Sequence, residues 1–388
     1  MIPFPNRLFT YALILQLAFA FFMPPVPFGN RLLFGSDVWL FFWVAVFGAW
    51  SWATSSPLER RSDLKLAVLT GSVIGIVFLH GYGRPSLGVE LNRYLPSPTD
   101  DLFSFSRELV VAGRFWAWCL GAIIVKRHQP NKKKVLNSLA FFSAIAALSL
   151  VASAISPALQ AKFGEIYLYD LNSSPWSNRF FGVFRSPVEG SVTLSFAALV
   201  LLAAWDTSGT KKFGTIGIIL LGLLFARTLS APLSAAIALG FAYATTLRKK
   251  YFYSILFGIP AVVALVAIAF RNTAFFAEKQ GNFLFRFKPW AIYLDSALSR
   301  FDRLLLGNGF HPHFSDNIYV FLFSRGGILL LGFALGLFIL WWRRTGRLLS
   351  WASMALPIFF LLSGVTVDSL IIRPVVYVLI CSGILALR

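Results

Sequence analysis

The stretch "GNGFHPHFSDNIYVFLFSRGG", from Gly307 to Gly327, gathers His311, His313, Asp316 and Arg325 just before and inside an apolar run. Histidine is the side chain whose charge changes near neutral pH. An arginine within an apolar run marks a functional-site hypothesis, because burying that charge in a membrane is costly. A second group lies in "NRFFGVFRSPVEG" at 178–190, with Arg179, Arg185 and Glu189, while Arg286 and Arg114 stand elsewhere as further cationic candidates. The guanidinium fork binds phosphate or carboxylate through two parallel hydrogen bonds and stays charged at any relevant pH. The chemistry on offer is recognition of an anion beside groups that can take up a proton. The pair His311 and His313 around a proline, with Asp316, is a poor metal-binding pattern, so no metal or other cofactor is expected.

The elements that must carry these residues are membrane spans. Of 388 residues, 57% are hydrophobic and 13% charged, against roughly 25% charged in soluble domains. Apolar runs long enough to cross about 30 Å of hydrocarbon recur from end to end. The expected fold class is all-α: a single polytopic membrane domain over 1–388, with about 12 transmembrane helices. The spans are expected near 8–28, 37–55, 64–82, 107–125, 136–155, 188–206, 213–227, 230–247, 252–270, 317–342, 350–367 and 370–387. The first reads as a retained span rather than a signal peptide. Two long loops, 156–187 and 271–316, fall on one side and carry most of the candidate residues. Within the tenth span, Ser324-Arg325-Gly326-Gly327 is expected to break the helix, leaving a short interfacial helix at 317–325 and a true span from about 328. Glycines 214, 217 and 222 read as helix-packing positions.

Charge orients this arrangement. With both termini on the same side, the segments there hold 18 of the 35 Lys and Arg but 3 of the 16 Asp and Glu, a net of +15. The opposite side keeps 17 basic and 13 acidic residues, a net of +4. Short loops rich in Lys and Arg stay in the cytoplasm, so both termini are placed there, and "KRHQPNKKK" at 126–134 is the clearest inner anchor. The formal charge of +19 is then a topology signal beside an anionic leaflet, not a nucleic-acid signal. Nine of the 18 inner basic residues are Lys, whereas the outer side has Lys162, Lys279 and Lys288 against 14 Arg. Topology needs no such bias, so an anionic partner is expected on the outer face. Cys119 and Cys381 fall within predicted spans and read as packing residues rather than a disulfide or a thiol nucleophile.

Three segments taken together resemble a known family: "NRFFGVFRSPVEG" (178–190), "RTLSAPLSAAIAL" (227–239) and "RFKPWAIYLDSALSRFDRLLLGNGFHPHFSDNIYVFLFSRGGILLLG" (286–332). The chain is similar to the multispanning sugar polymerases and ligases that include the Wzy-type O-antigen polymerases and the O-antigen ligases. The resemblance implies a GT-C-like, metal-independent membrane glycosyltransferase in a bacterial inner membrane. Its donor would be a glycan on undecaprenyl diphosphate, and its active site would face the periplasm. Arg179, Arg286, Arg325, Arg185 and Arg114 would then bind the diphosphate. His313 or His311 would take the proton of the attacking sugar hydroxyl, with Asp316 orienting the base and Glu189 as a further acceptor. Membrane lipids, a flippase and a chain-length regulator are the implied partners. Asp316 and Asn317 stand where the ligases typically show His and Asn, which favours polymerase over ligase. A transporter of lipid-linked oligosaccharides is the rival from another class, but no internal halves are evident and the polar groups gather at one interface.

Overall fold

The structure, a computed structural model, describes residues 4–28, 31–82, 105–167, 179–228, 230–244, 287, 290–309, 317–348, 351–364 and 372–382. Its helices are α1 (Phe4–Phe22), α2 (Gly35–Thr54), α3 (Pro57–Tyr82), α4 (Phe105–His128), α5 (Lys132–Ile155), α6 (Pro157–Tyr167), α7 (Pro187–Ala204), α8 (Gly209–Ala226) and α9 (Ser230–Ala244). They continue with α10 (290–298), α11 (Phe301–Leu306), α12 (Ile318–Leu348), α13 (Trp351–Gly364) and α14 (Arg373–Cys381). Described helices overlap eleven of the expected stretches, some only in part, as at 8–28, 230–247 and 370–387, and 252–270 lies outside the described residues. Among the described residues, five helices are long and apolar enough to cross a membrane: Asp63–Gly81, Lys132–Ile155, Pro187–Ala204, Gly209–Ala226 and Ile318–Ile339.

The fold is not purely helical. Val26–Phe28 and Arg31–Leu33 form an antiparallel two-stranded ribbon, with Val26 opposite Leu33. Strand-forming Val and Phe before Gly29-Asn30, and Leu after it, make a hairpin pattern that a search for helical runs passes over. The long loop 156–187 also contains a helix, α6. Ser156 begins it by accepting the Leu159 N–H, and Pro157 supplies a first-turn residue that needs no donor.

The core sits on α7. Helix α7 has buried residues without a break from Gly190 to Leu201, among them Gly190, Ser191, Thr193, Ser195, Ala197 and Ala198, small side chains that let neighbouring helices approach on every face. It packs against α5, α8, α9, α13 and α14. Of the expected glycine contacts, Gly222 alone is close: a Cβ there would come within 2.7 Å of Ala147 Cα, whereas Gly214 and Gly217 face open space. Small residues serve where two backbones approach, and of these three glycines Gly222 is the one that stands at the approach of α8 to α5.

The tenth span breaks as "SRGG" implies, at Gly327 (φ 56°, ψ −152°). A break leaves carbonyls without their helical partners. Asn308 N–H donates to Ser324 O at 2.7 Å and Gly309 N–H donates to Arg325 O at 2.8 Å. The Gly307-Asn308-Gly309 turn is thus the cap of the break twenty residues downstream. The helix start is capped by Asn317, whose Oδ1 accepts from Tyr319 N–H (2.9 Å) and Val320 N–H (3.1 Å).

Candidate functional site

The bundle has two ends. One is marked by Asn131, whose N–H donates to Thr10 Oγ1 (2.9 Å), and by Trp205, whose indole donates to Asn137 Oδ1 (2.8 Å). The other is marked by Tyr167, whose hydroxyl donates to Phe22 O at 2.9 Å. Most of the candidate residues within the described set belong to this second end.

A cleft opens there. It is lined by Phe19, Phe34, Ser36, Tyr167, Arg185 and Glu189, with Met23, Phe184 and Pro374 among its other walls. Glu189 reaches it because Ser186 caps α7: the serine Oγ accepts the Glu189 N–H at 3.0 Å, and Pro187 occupies the first turn. Ser186-Pro187-Val188-Glu189 is the spacing of a capping box, and a carboxylate in the first turn favours the helix dipole. Arg185 stands over Phe34, its guanidinium carbon 5.1 Å from the ring centroid, a cation–π arrangement. The preceding turn is pinned to α5 by Ser149 Oγ, which accepts Val183 N–H at 3.1 Å. Gly182 (φ 55°) lies so close that a Cβ would meet that oxygen at 2.3 Å. Burial pushes the Tyr167 phenol above its ordinary value, so it remains a neutral hydroxyl. A cation, a carboxylate and hydroxyl groups therefore face one space.

Beside the cleft, Asp37 follows Ser36 in the first turn of α2. Its Oδ1 accepts the Tyr377 hydroxyl at 2.5 Å, and its Oδ2 lies 3.1 Å from Arg114 Nε. The latter contact is an ion pair by distance without hydrogen-bond alignment. The Arg114 and Asp37 side chains are 12% and 9% exposed, so this is a buried pair.

A second polar cluster lies where α10, α11 and α12 meet. Arg325 is 2% exposed, with its guanidinium carbon 3.3 Å from the Phe321 ring centroid and Nη1 donating to Phe321 O at 3.4 Å. Arg303 Nη1 donates to Ser299 Oγ (3.3 Å), and Asn308 Nδ2 donates to Ser296 Oγ (3.4 Å). The buried Asn308 Oδ1 has no hydrogen-bond partner among the described residues. The α3 end approaches this cluster at Gly81, whose added Cβ would lie 2.4 Å from Gly309 Cα.

The structure brings Arg185 and Glu189 into one cleft. Arg179 lies at the start of the same turn, with its carbonyl accepting Gln160 Nε2 at 3.4 Å, but its side chain is not part of the cleft wall. Arg227, at the end of α8, meets this segment, its guanidinium carbon 5.4 Å from the Phe180 ring centroid. Arg114 is engaged by Asp37, and Arg325 belongs to the second cluster. Arg286, His311, His313 and Asp316 lie outside the described residues. Asp37, Tyr377, Tyr167 and Ser36 were not anticipated. Asp37 alone carried a signal, as a lone carboxylate at the head of an apolar run; a buried tyrosine hydroxyl leaves none. The chain matches no family model and no curated protein sequence.

Proposed function

We propose that the chain is a polytopic glycosyltransferase of the multispanning polymerase and ligase class. In this reading it has twelve spans in a GT-C-like arrangement within a bacterial inner membrane. The Asn131 end faces the cytoplasm and the Glu189 end faces the periplasm. The donor is a glycan on a polyprenyl diphosphate, and the acceptor is the sugar of a second lipid-linked unit. One observation carries the reading: Arg185 and Glu189, which fall within one motif of the sequence, share one cleft at the end opposite the lysine-rich cluster.

The diphosphate leaving group needs its charge neutralised more than it needs a proton, and fixed guanidinium groups supply that electrostatically. Arg185, with Arg179 on the same turn, holds the diphosphate, with Arg286 of the second loop and Arg325 of the tenth span as further guanidinium groups. Glu189, His311 or His313 receives the proton of the attacking hydroxyl, with Asp316 as its orienter. The phenylalanine and tryptophan content suits a polyprenyl tail.

The test is glycan chain length on a gel from cells lacking the protein, complemented with wild type, Arg185→Ala, Arg179→Ala, Arg286→Ala, Glu189→Gln or His313→Ala. Wild type restores long ladders, and loss of function leaves single repeats on the acceptor lipid. Long chains accumulating on the carrier lipid would instead make it a ligase. Arg185→Ala protein that reaches the membrane and builds normal ladders would remove the cleft from the mechanism.

A further inference from the structure

At the opposite end, α2, α3 and α4 enclose a groove that the glycan reading does not use. Its walls are Val44, Gly48 and Trp52 from α2, Leu64 and Ala67 from α3, and Leu120, Ile123 and Ile124 from α4. Its volume is about 130 Å³, near the ~150 Å³ at which an apolar cavity accepts a benzene-sized hydrocarbon. Gly48 sets the width, for a Cβ there would already stand 3.5 Å from Ile124 Cδ1. Trp52 and Leu64 are 51% and 45% exposed, so the groove opens sideways to the surroundings.

Its polar end is closed by Ser51, Ser55, Asp63 and Arg127. The serines are engaged: Ser51 Oγ lies 2.8 Å from His128 Nε2, and Ser55 Oγ donates to Ser51 O. Arg127 is held by Asp63 through Nε and by Ser51 O through Nη1 at 3.3 Å. Its Nη2 donors have no other partner among the described residues. Exposed basic side chains stand nearby: helical register puts Lys126, three residues beyond Ile123, and Arg61, three before Leu64, on the faces of the groove walls, while Lys65, next after Leu64, is turned about 100° from it.

We propose that this groove is a phospholipid site, taking the headgroup-proximal stretch of one acyl chain of an anionic phospholipid with its phosphate at the Arg127 end. The walls match hydrocarbon, and Arg127 Nη2 offers two hydrogen bonds to phosphate oxygens. Asp63 cancels the Arg127 charge, so preference for an anionic headgroup falls to Arg61, Lys65 and Lys126, in the manner of basic pockets between helices. The proposal rests on the membrane reading and not on the glycan one.

The experiment is native mass spectrometry of the full chain in detergent, titrated with phosphatidylglycerol or with phosphatidylcholine of the same acyl chains. Wild type is expected to retain one phosphatidylglycerol with about tenfold preference. Gly48→Leu and Ala67→Leu, which fill the groove from facing walls, lose that lipid; if one variant fails to fold, the other decides. The triple change Arg61→Gln, Lys65→Gln, Lys126→Gln keeps a lipid but loses the preference. Equal retention of the two lipids by wild type, no retained lipid, or undiminished retention by the folded groove-filling variants would overturn the site. None of these outcomes depends on glycan ladders, so the two readings fail separately.

Discussion

Helix α4 carries an arginine toward each end, Arg114 and Arg127, about 20 Å apart at 1.5 Å per residue, and each is met by an aspartate from a different neighbour. Asp37 comes from the first turn of α2, Asp63 from α3. The Asp37–Arg114 side chains are 9% and 12% exposed, and a tyrosine hydroxyl supports the carboxylate. The Asp63–Arg127 side chains are 30% and 19% exposed and line the polar end of a groove that opens to the surroundings. The same two residue types therefore do different work. Where water is excluded, each charge depends on its partner; where water reaches, solvent replaces much of what the partner gives.

Removing one partner at each end separates the two pairs. Asp37→Ala leaves a buried guanidinium beside Tyr377 and is expected to cost about 3–5 kcal/mol, read as denaturant stability of the purified protein in detergent. Replacing both residues with apolar ones, Asp37→Ala with Arg114→Met, should recover most of the loss. If Asp37→Ala proves as mild as Asp63→Ala, burial does not separate the pairs.

Gly327→Ala sharpens the contrast at the Glu189 end. Its φ of 56° and ψ of −152° suit glycine alone, and a Cβ would meet Leu304 O at 2.4 Å. The expected loss is about 1–3 kcal/mol from backbone strain, before any clash is relieved. The control is Gly217→Ala, in open space within α8, which should gain up to ~1 kcal/mol from helix propensity. Opposite signs in the same melting assay are the expected result.

Asp63→Asn should cost no more than about 1 kcal/mol, falling further in high salt. Smallest is the response of His128, beside that pair. Burial lowers its pKa from the ordinary 6.5, with a further lowering from Arg127 against a raising backbone hydrogen bond at Phe47. The folded state therefore binds the proton less readily than the unfolded one. Its contribution is complete above about pH 6.5 and is lost as pH falls through that value toward the lower folded pKa. His128→Gln should flatten the acid side of a melting-temperature profile, and an unchanged slope would assign it to other groups.

Much of the scaffold was legible because long apolar runs have one economical solution in hydrocarbon, a helix that satisfies its own backbone. The break at Gly327 was legible too, since two successive glycines after a polar pair weaken a helix locally. What caps that break was not: the amides of Asn308 and Gly309 come from a turn whose sequence reads only as glycine-rich. In the candidate site, Arg185 and Glu189 were legible together because they lie within five residues. Arg114 was legible as a charge out of place, but not as the partner of Asp37, because nothing in either sequence neighbourhood encodes the 77-residue separation.

From the residues alone came the helical, membrane-compatible character of the chain and the places of its long apolar helices, though not α6, α10 and α11, which lie in stretches expected to be loops. These follow from local composition and period, which act over one or two turns. Tertiary packing alone decided that α7 is the central helix, that Asp37 and not Asp63 is the buried carboxylate, and that Arg185, Glu189, Ser36 and Tyr167 share one cleft. Those outcomes depend on which faces meet across helices distant in sequence, and a buried contact of that kind has no local periodicity to betray it.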